Sequence, residues 1–342
     1  MLTRRDWLKA TIATAAAMPF ASPGSAWAGA GQERARIRGV RMALQSASFS
    51  FSGLGLPDIF KTMQGLGLTE IDIMSEHIEH LLGAPGIQLP GSGRPGPWAR
   101  PATPPPGPPP VAGTGTATPA TPGTPAAPVA RPAGRGMDPA VREALRAWRL
   151  SVDLAKFRDV KAQFDRAGLI LFSYNLSFND SYTDPEIERG MLIAKALGTR
   201  IITASSPLTV MPRVAPLAEK HDVVVALHNH MEGPEEFEKA MALSPKIWVN
   251  LDVGHFFAMG HDPVAYLRAH HRRITNIHVK DRMSNRGREQ PFGEGETPLR
   301  EVLTLVRDQK YDMPVCLEYV GPDGPAIELK RCLDYCRKIL EG

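Results

Sequence analysis

Cysteine is scarce, and three thiols in 342 residues exclude a disulfide-framed fold. Cys332 and Cys336 fall one helical turn apart in the last amphipathic stretch, and Cys316 falls inside an apolar run. All three read as packing residues. Long apolar runs are missing as well. None approaches the ~20 residues that a membrane span requires, so the sequence is not that of an integral membrane protein. Charge of one sign is missing from the folded part. Of the formal +4, the first 28 residues (Arg4, Arg5 and Lys9 against Asp6) supply +2, and Arg94, Arg100, Arg131 and Arg135 supply +4 from a stretch without acids. Subtracting both leaves −2 for the remainder, which is no footprint for nucleic acid. A phosphate-cradling glycine loop is absent too, because Gly293-Glu-Gly295 is too short to serve as one.

What is present begins with a targeting pattern. Residues 1–28 carry Arg4-Arg5, a mildly apolar Ala/Thr-rich run, and the small-x-small sequence Ala26-Trp27-Ala28. This resembles a twin-arginine signal peptide and predicts an exported, periplasmic protein. A second anomaly spans 83–136, which holds about half of the chain's 32 prolines, interleaved with Ala, Gly and Thr. Such a stretch has little to bury and reads as a disordered, polyproline-like insertion. Its cost to the fold is small, because closure entropy grows slowly with loop length.

The rest, 37–340, alternates short β-branched runs with amphipathic stretches, and 43% hydrophobic residues suffice for a large core. Strands are expected near Arg41, Leu68, Leu169 and Arg200, and then at Val223, Ile247, Thr275 and Val315. Helices are expected between them, with Pro57, Asp138-Pro139, Asp184-Pro185, Pro234 and Pro298 at starts and Gly67, Gly168 and Gly198 at ends. Eight such units form an α/β protein of the (β/α)₈ TIM-barrel class, with the insertion in the loop after strand two. A doubly wound sheet would divide the strand ends between two edges.

The last four strands end in ligand-type residues: His228 with His230, Asp252, His278 and Glu318. Residues two apart share a strand face, and C-terminal strand ends of a barrel converge on its axis. Two imidazoles and two carboxylates make a mixed nitrogen/oxygen site for one divalent ion, suited to Mn²⁺, Zn²⁺, Co²⁺ or Fe²⁺. Alone, each of these residues would more often be structural; four at matched ends point to metal. Glu76, His77, Asn175 and Ser205 end strands two to four and, with His230 and the first strand's Gln45, are candidates for substrate binding.

The motifs Asn250-Leu-Asp252-Val-Gly-His255, Ile277-His278-Val-Lys280-Asp281, Phe292-Gly-Glu-Gly295 and Leu317-Glu318-Tyr319, with Gln45 on the first strand, resemble those of the xylose isomerase-like barrels. The resemblance runs from about Arg41 to Leu340, outside the insertion. That family includes sugar-phosphate isomerases and epimerases and, more distantly, abasic-site endonucleases. It implies Asp252, His278 and Glu318 as metal ligands and places His255 and Lys280 in the substrate pocket. One position departs. The fifth strand usually carries Glu-Asn-His, and here it reads His228-Asn229-His230.

The implied chemistry is proton abstraction beside a metal-polarised carbonyl of an unphosphorylated sugar or keto-glycoside. Glu318 is the natural base, with Lys280 or His255 stabilising the enolate or protonating a leaving group. The resemblance puts isomerase or epimerase first. Replacing one of the two opposed bases by a metal-held imidazole raises the claim of a lyase acting on 3-keto-glycosides. A sugar-binding barrel without turnover, and a phosphodiester-cleaving barrel, are the other classes. The latter needs a basic groove that a −2 core does not supply.

Overall fold

The computed structural model describes residues 34–89 and 137–342. Eight parallel strands close on themselves: β1 (Val40–Gln45), β2 (Glu70–Met74), β3 (Ile170–Asn175), β4 (Ile201–Ala204), β5 (Val224–His228), β6 (Ile247–Asp252), β7 (Ile274–Val279) and β8 (Val315–Leu317). The hydrogen-bonded order runs β1-β8-β7-β6-β5-β4-β3-β2, and a β1–β2 pairing completes the ring. This is the (β/α)₈ barrel that the alternation of runs predicts.

The helices are α1 (Leu56–Leu66), α2 (Ser75–Leu81), α3 (Pro139–Ser151), α4 (Leu154–Arg166), α5 (Asp184–Ala196), α6 (Met211–His221), α7 (Pro234–Met241), α8 (Val253–Ala258), α9 (Pro263–His270), α10 (Leu299–Asp308) and α11 (Pro325–Glu341). Local chemistry starts most of them. Asp138 and Asp153 accept backbone N–H groups at the starts of α3 and α4, and Thr183 and Glu186 form a reciprocal capping box on α5. The stretch expected to be helical from Asp138 to Gly168 is two helices broken at Val152-Asp153. Helices α2 and α8 were not expected. Each begins directly at a strand end, and α8 is capped by Asp252 itself, whose Oδ1 accepts from His255 N (2.7 Å).

Strand alternation sends apolar residues outward against the helices and polar ones inward. Met42, Leu44, Ile71, Ile73, Val249 and Leu251 all join the buried core. Inside the barrel, Arg41 Nε bonds Glu70 Oε2 (2.9 Å), with both side chains fully enclosed. Above this pair, Asp72 accepts from Thr203 Oγ1 (2.8 and 3.0 Å) and Gln45 Nε2 (3.0 Å). The interior is thus a hydrogen-bonded plug beneath the C-terminal strand ends. All three cysteines are buried and free.

Of residues 83–89, read as the start of the insertion, Ala84 is buried, and a Cβ at Gly86 would collide with Val141 on α3. The expected signal, residues 1–28, and the rest of the insertion, 90–136, lie outside the described residues. Among the described residues no helix is long and apolar enough to cross a membrane.

Candidate active site

Register brings the ligand-type residues together. His228 on β5 lies opposite Asn250 on β6, and Asp252 lies opposite His278 on β7. Asn229 ties the ends of β5 and β6, donating to Asp252 O (3.1 Å) and accepting from Asp252 N (2.9 Å). Donor atoms of His228, Asp252 and His278 lie within 4.8 Å of one another. His278 Nδ1 and Glu318 Oε2 are 3.0 Å apart.

The hydrogen-bond pattern decides which atoms face the centre. Asn250 donates through Nδ2 to Asn276 O (3.4 Å), so its Oδ1 is the acceptor for His228 Nδ1 (2.9 Å), and His228 Nε2 is left with its lone pair. His278 Nε2 bonds Asp72 Oδ2 (3.0 Å), leaving Nδ1 inward. Asp252 Oδ2 is buried without a hydrogen-bond partner, and His278 Nδ1 and Glu318 Oε2 face each other as a buried ion pair at 3.0 Å. An unsatisfied buried acceptor costs about 1–3 kcal/mol. A shared divalent cation, taking the place of the proton on His278 Nδ1, would satisfy these three atoms and His228 Nε2 with them. These residues therefore fit the ion, and Asp72 stands behind His278 as the orienting carboxylate that such a ligand ordinarily has.

Lys280 supplies the adjoining charge. Its Nζ is 2.7 Å from Glu318 Oε1 and 3.7 Å from Asp252 Oδ2. Burial opposes its charge, but the Glu318 carboxylate leads the groups that outweigh burial and keep the ammonium protonated. Burial likewise opposes the Glu318 charge, and Lys280 followed by His278 outweighs it, holding the carboxyl well below its ordinary range. For His278, burial is overcome by Asp72 and Glu318, which raise the ring to about 9. Without a metal, that imidazolium proton supplies the positive charge a cation would bring. Burial, with His278 next in order, pushes His228 well below the ordinary imidazole range. Burial also brings His255 down to about 4.

A cleft of about 310 Å³ opens over this cluster, within the range of small-molecule sites. Gln45, Glu76, Asn175, Ser205 and His230 line it, together with His228, His278 and Glu318. His230 stands at the rim, its ring 4.8 Å from that of His228 and 4.9 Å from that of His255. These three histidines form a second close group that shares His228. His255 Nδ1 is engaged by Arg282, and its Nε2 is 3.4 Å from Lys280 Nζ.

His77 does not belong to the cleft, contrary to the sequence reading. The chain turns helical at Ser75, which carries Glu76 to the cleft and His77 into the interior, 1% exposed with neither ring nitrogen hydrogen-bonded. Four contributors were missed. Asp72 sits mid-strand and shares parity with buried Glu70, a pattern that marks it only once the inner face is known to be polar. Arg149 reaches the cleft from α3. Arg282 and Glu289 belong to a short hairpin (Asp281–Arg282 with Glu289–Gln290), from which Arg282 engages His255 and Glu289 adds negative charge to the surroundings of Lys280. Burial raises Glu289 to about 7.

Comparison with known proteins adds the following. A model of the xylose isomerase-like TIM barrel family matches residues 133–338, more than half of the chain. The chain is 30% identical over 110 residues to the rhizopine catabolism protein MocC of Rhizobium meliloti, covering 30% of this chain and 34% of that protein. It is 33% identical over 75 residues to an inosose dehydratase of Clostridium tetani, covering 20% of this chain and 25% of the relative. The matches thus span about a third or less of the relatives' own lengths. Among solved structures the chain is similar to the zinc-bound IolI protein at 13% identity and a TM-score of 0.54, covering 88% of this chain and 98% of that one. That likeness is one of fold.

Proposed function

The chain belongs to the xylose isomerase-like TIM barrel family, and from that premise we propose that it is a divalent-metal-dependent enzyme. Its reaction removes a proton beside the carbonyl of an unphosphorylated sugar, cyclic polyol ketone or keto-glycoside and then expels a β-substituent. The observation that carries this reading is the buried group of His228, Asp252 and His278, whose ligand atoms lie within 4.8 Å of one another, with Glu318 3.0 Å from His278 at the base of the cleft. Held by His228, Asp252, His278 and Glu318, the ion would polarise the substrate carbonyl and make the neighbouring C–H more acidic.

The chain's own groups do the rest. Glu318, kept ionised by Lys280, accepts the carbon-bound proton. Lys280, fixed in its charged form 2.7 Å from that carboxylate, stabilises the negative charge developing on the substrate oxygen. Gln45 and Asp72 hold His278 in place, and His230, Asn175 and Ser205 are positioned to hydrogen-bond sugar hydroxyls. An unphosphorylated substrate is favoured because Arg149, a cation lining the cleft, is committed to Glu79 by two bonds of 2.7 and 2.8 Å.

Elimination is favoured over epimerisation because His228 cannot serve as the opposed base. Its Nδ1–H is bound to Asn250, and its remaining lone pair belongs to the cation site. The similarity to an inosose dehydratase over 75 residues points the same way. Isomerisation is the second reading, since one base, Glu318, suffices to return the proton to the neighbouring carbon.

The test is to incubate the metal-loaded protein in D₂O with inososes, free ketoses and 3-keto-glucosides. Deuterium is expected at the carbon beside the carbonyl, together with an α,β-unsaturated product. A rearranged sugar would select isomerase, and no exchange anywhere in the panel would refute the enzymatic reading in favour of a binding barrel.

A further inference from the structure

Elimination needs a second proton transfer, to the departing oxygen. Most cleft-lining groups that could hold a proton are already committed. Arg149 is bound to Glu79 and gives its Nη1 proton to the Tyr182 hydroxyl (2.7 Å). Glu318 is ionised against Lys280, and His278 is fixed between Asp72 and Glu318. His228 is placed as a ligand of the ion, and His230 lies ring to ring against it at 4.8 Å.

Glu76 stands apart from these. It lies at the start of α2, on the cleft wall supplied by β2, whereas the ligand cluster comes from β5 to β8. Its side-chain partner among the described residues is Ser75 Oγ (3.2 Å). The nearby cation, Arg149, is satisfied by Glu79. Burial, with Glu79 adding to it, holds the Glu76 carboxyl above the ordinary range. Glu76 is thus a cleft carboxyl apart from the ligand cluster whose burial favours the protonated form, as a general acid requires.

We propose that Glu76 is the catalytic general acid, donating its proton to the β-oxygen of the leaving group in the cleft it shares with Glu318. The proposal rests on the elimination reading above. Glu318 takes the α-proton and the C–H electron pair passes into an enolate, to which a proton or deuteron can return. When the enolate collapses, its oxygen pair re-forms the carbonyl and the former C–H pair becomes the C=C bond to the β-carbon. The C–O bond there breaks with its electron pair on oxygen, and that oxygen takes the Glu76 proton and leaves as water or an alcohol. Glu318 then carries a proton and Glu76 a negative charge, and solvent returns both to their starting states. No oxidant or reductant enters.

The test uses the full chain, metal-loaded, as wild type, Glu76→Gln and Glu76→Ala. Substrates are a pair of 3-keto-glucosides whose aglycone is either methoxide or p-nitrophenoxide, and α-deuterium uptake is read alongside aglycone release. In both variants, α-exchange should stay within about threefold of wild type. Methanol release should fall about a hundredfold or more, the usual loss on removing a general acid. Release of p-nitrophenoxide, which leaves without protonation, should fall less than about tenfold. Acetate should restore part of the methanol release in Glu76→Ala. Equal losses for both aglycones, unchanged methanol release, or loss of exchange in both variants would overturn the assignment. Absence of exchange in wild type would instead remove the elimination reading, and this proposal with it.

Discussion

His77 should make the barrel acid-labile by a definite amount. Its ring is 1% exposed and without a hydrogen-bond partner, and burial lowers it from 6.5 to about 4. A depressed imidazole binds its proton in the unfolded chain first. Its neutral folded form is therefore unpenalised above about pH 6.5, and stability drains away as the pH falls toward 4. With those two values, moving from pH 7 to pH 5 costs about 2 kcal/mol through this residue alone, equivalent to roughly 4–8 °C in Tm for a domain of this size. Urea unfolding of wild type and His77→Leu, with a chelator present at both pH values, measures it. His228 and His255, also depressed, titrate in both proteins and cancel in the difference. The variant should lose about 2 kcal/mol less than wild type between the two pH values. Parallel losses would refute the argument and show that His77 finds a partner or water in solution.

Other outcomes follow from the site. Asp72→Asn keeps the shape but turns the partner of His278 Nε2 from a carboxylate into an amide; metal affinity by calorimetry should fall about 10–100-fold with little change in fold. Glu318→Gln should cut turnover by at least about a hundredfold while a substrate analogue still binds measurably, and full activity would eliminate Glu318 as the base. In Gly254→Ala the new Cβ would meet Lys280 O at 2.3 Å, forcing α8 away from the end of β7. A loss of about 1–3 kcal/mol in thermal or urea unfolding is expected.

The strands were readable because period-two alternation of β-branched residues is a strong local signal, and the ligand residues sit where each run stops. Helices α2 and α8 were not, since seven and six residues starting on a strand's last residue leave no periodicity of their own. That hidden turn explains the two fates of Glu76 and His77. Extending strand parity past Met74 puts both at the rim, whereas a helix rotates successive residues by about 100° and separates them. Asp72 was invisible for a different reason. An acid alternating with Ile71 and Ile73 looks like a solvent-facing residue until barrel closure covers that face as well. Arg149 reaches the cleft only through the packing of α3 against α2 and α5, where Glu79 and Glu186 receive its arginines, and no local pattern announces such a contact.

The polar plug has a kinetic consequence. Asp72 and His278 are 206 residues apart in sequence, and Thr203 and Gln45 join them from two further strands. Helices and neighbouring βα units can form early from nearby contacts, but this knot is tied only when β7 reaches back to β1 and β2, a step with a high loop-closure cost. Partly folded chains should therefore have little grip on the ion. In a refolding time course, metal uptake should trail the recovery of secondary structure and coincide with the final closure of the ring.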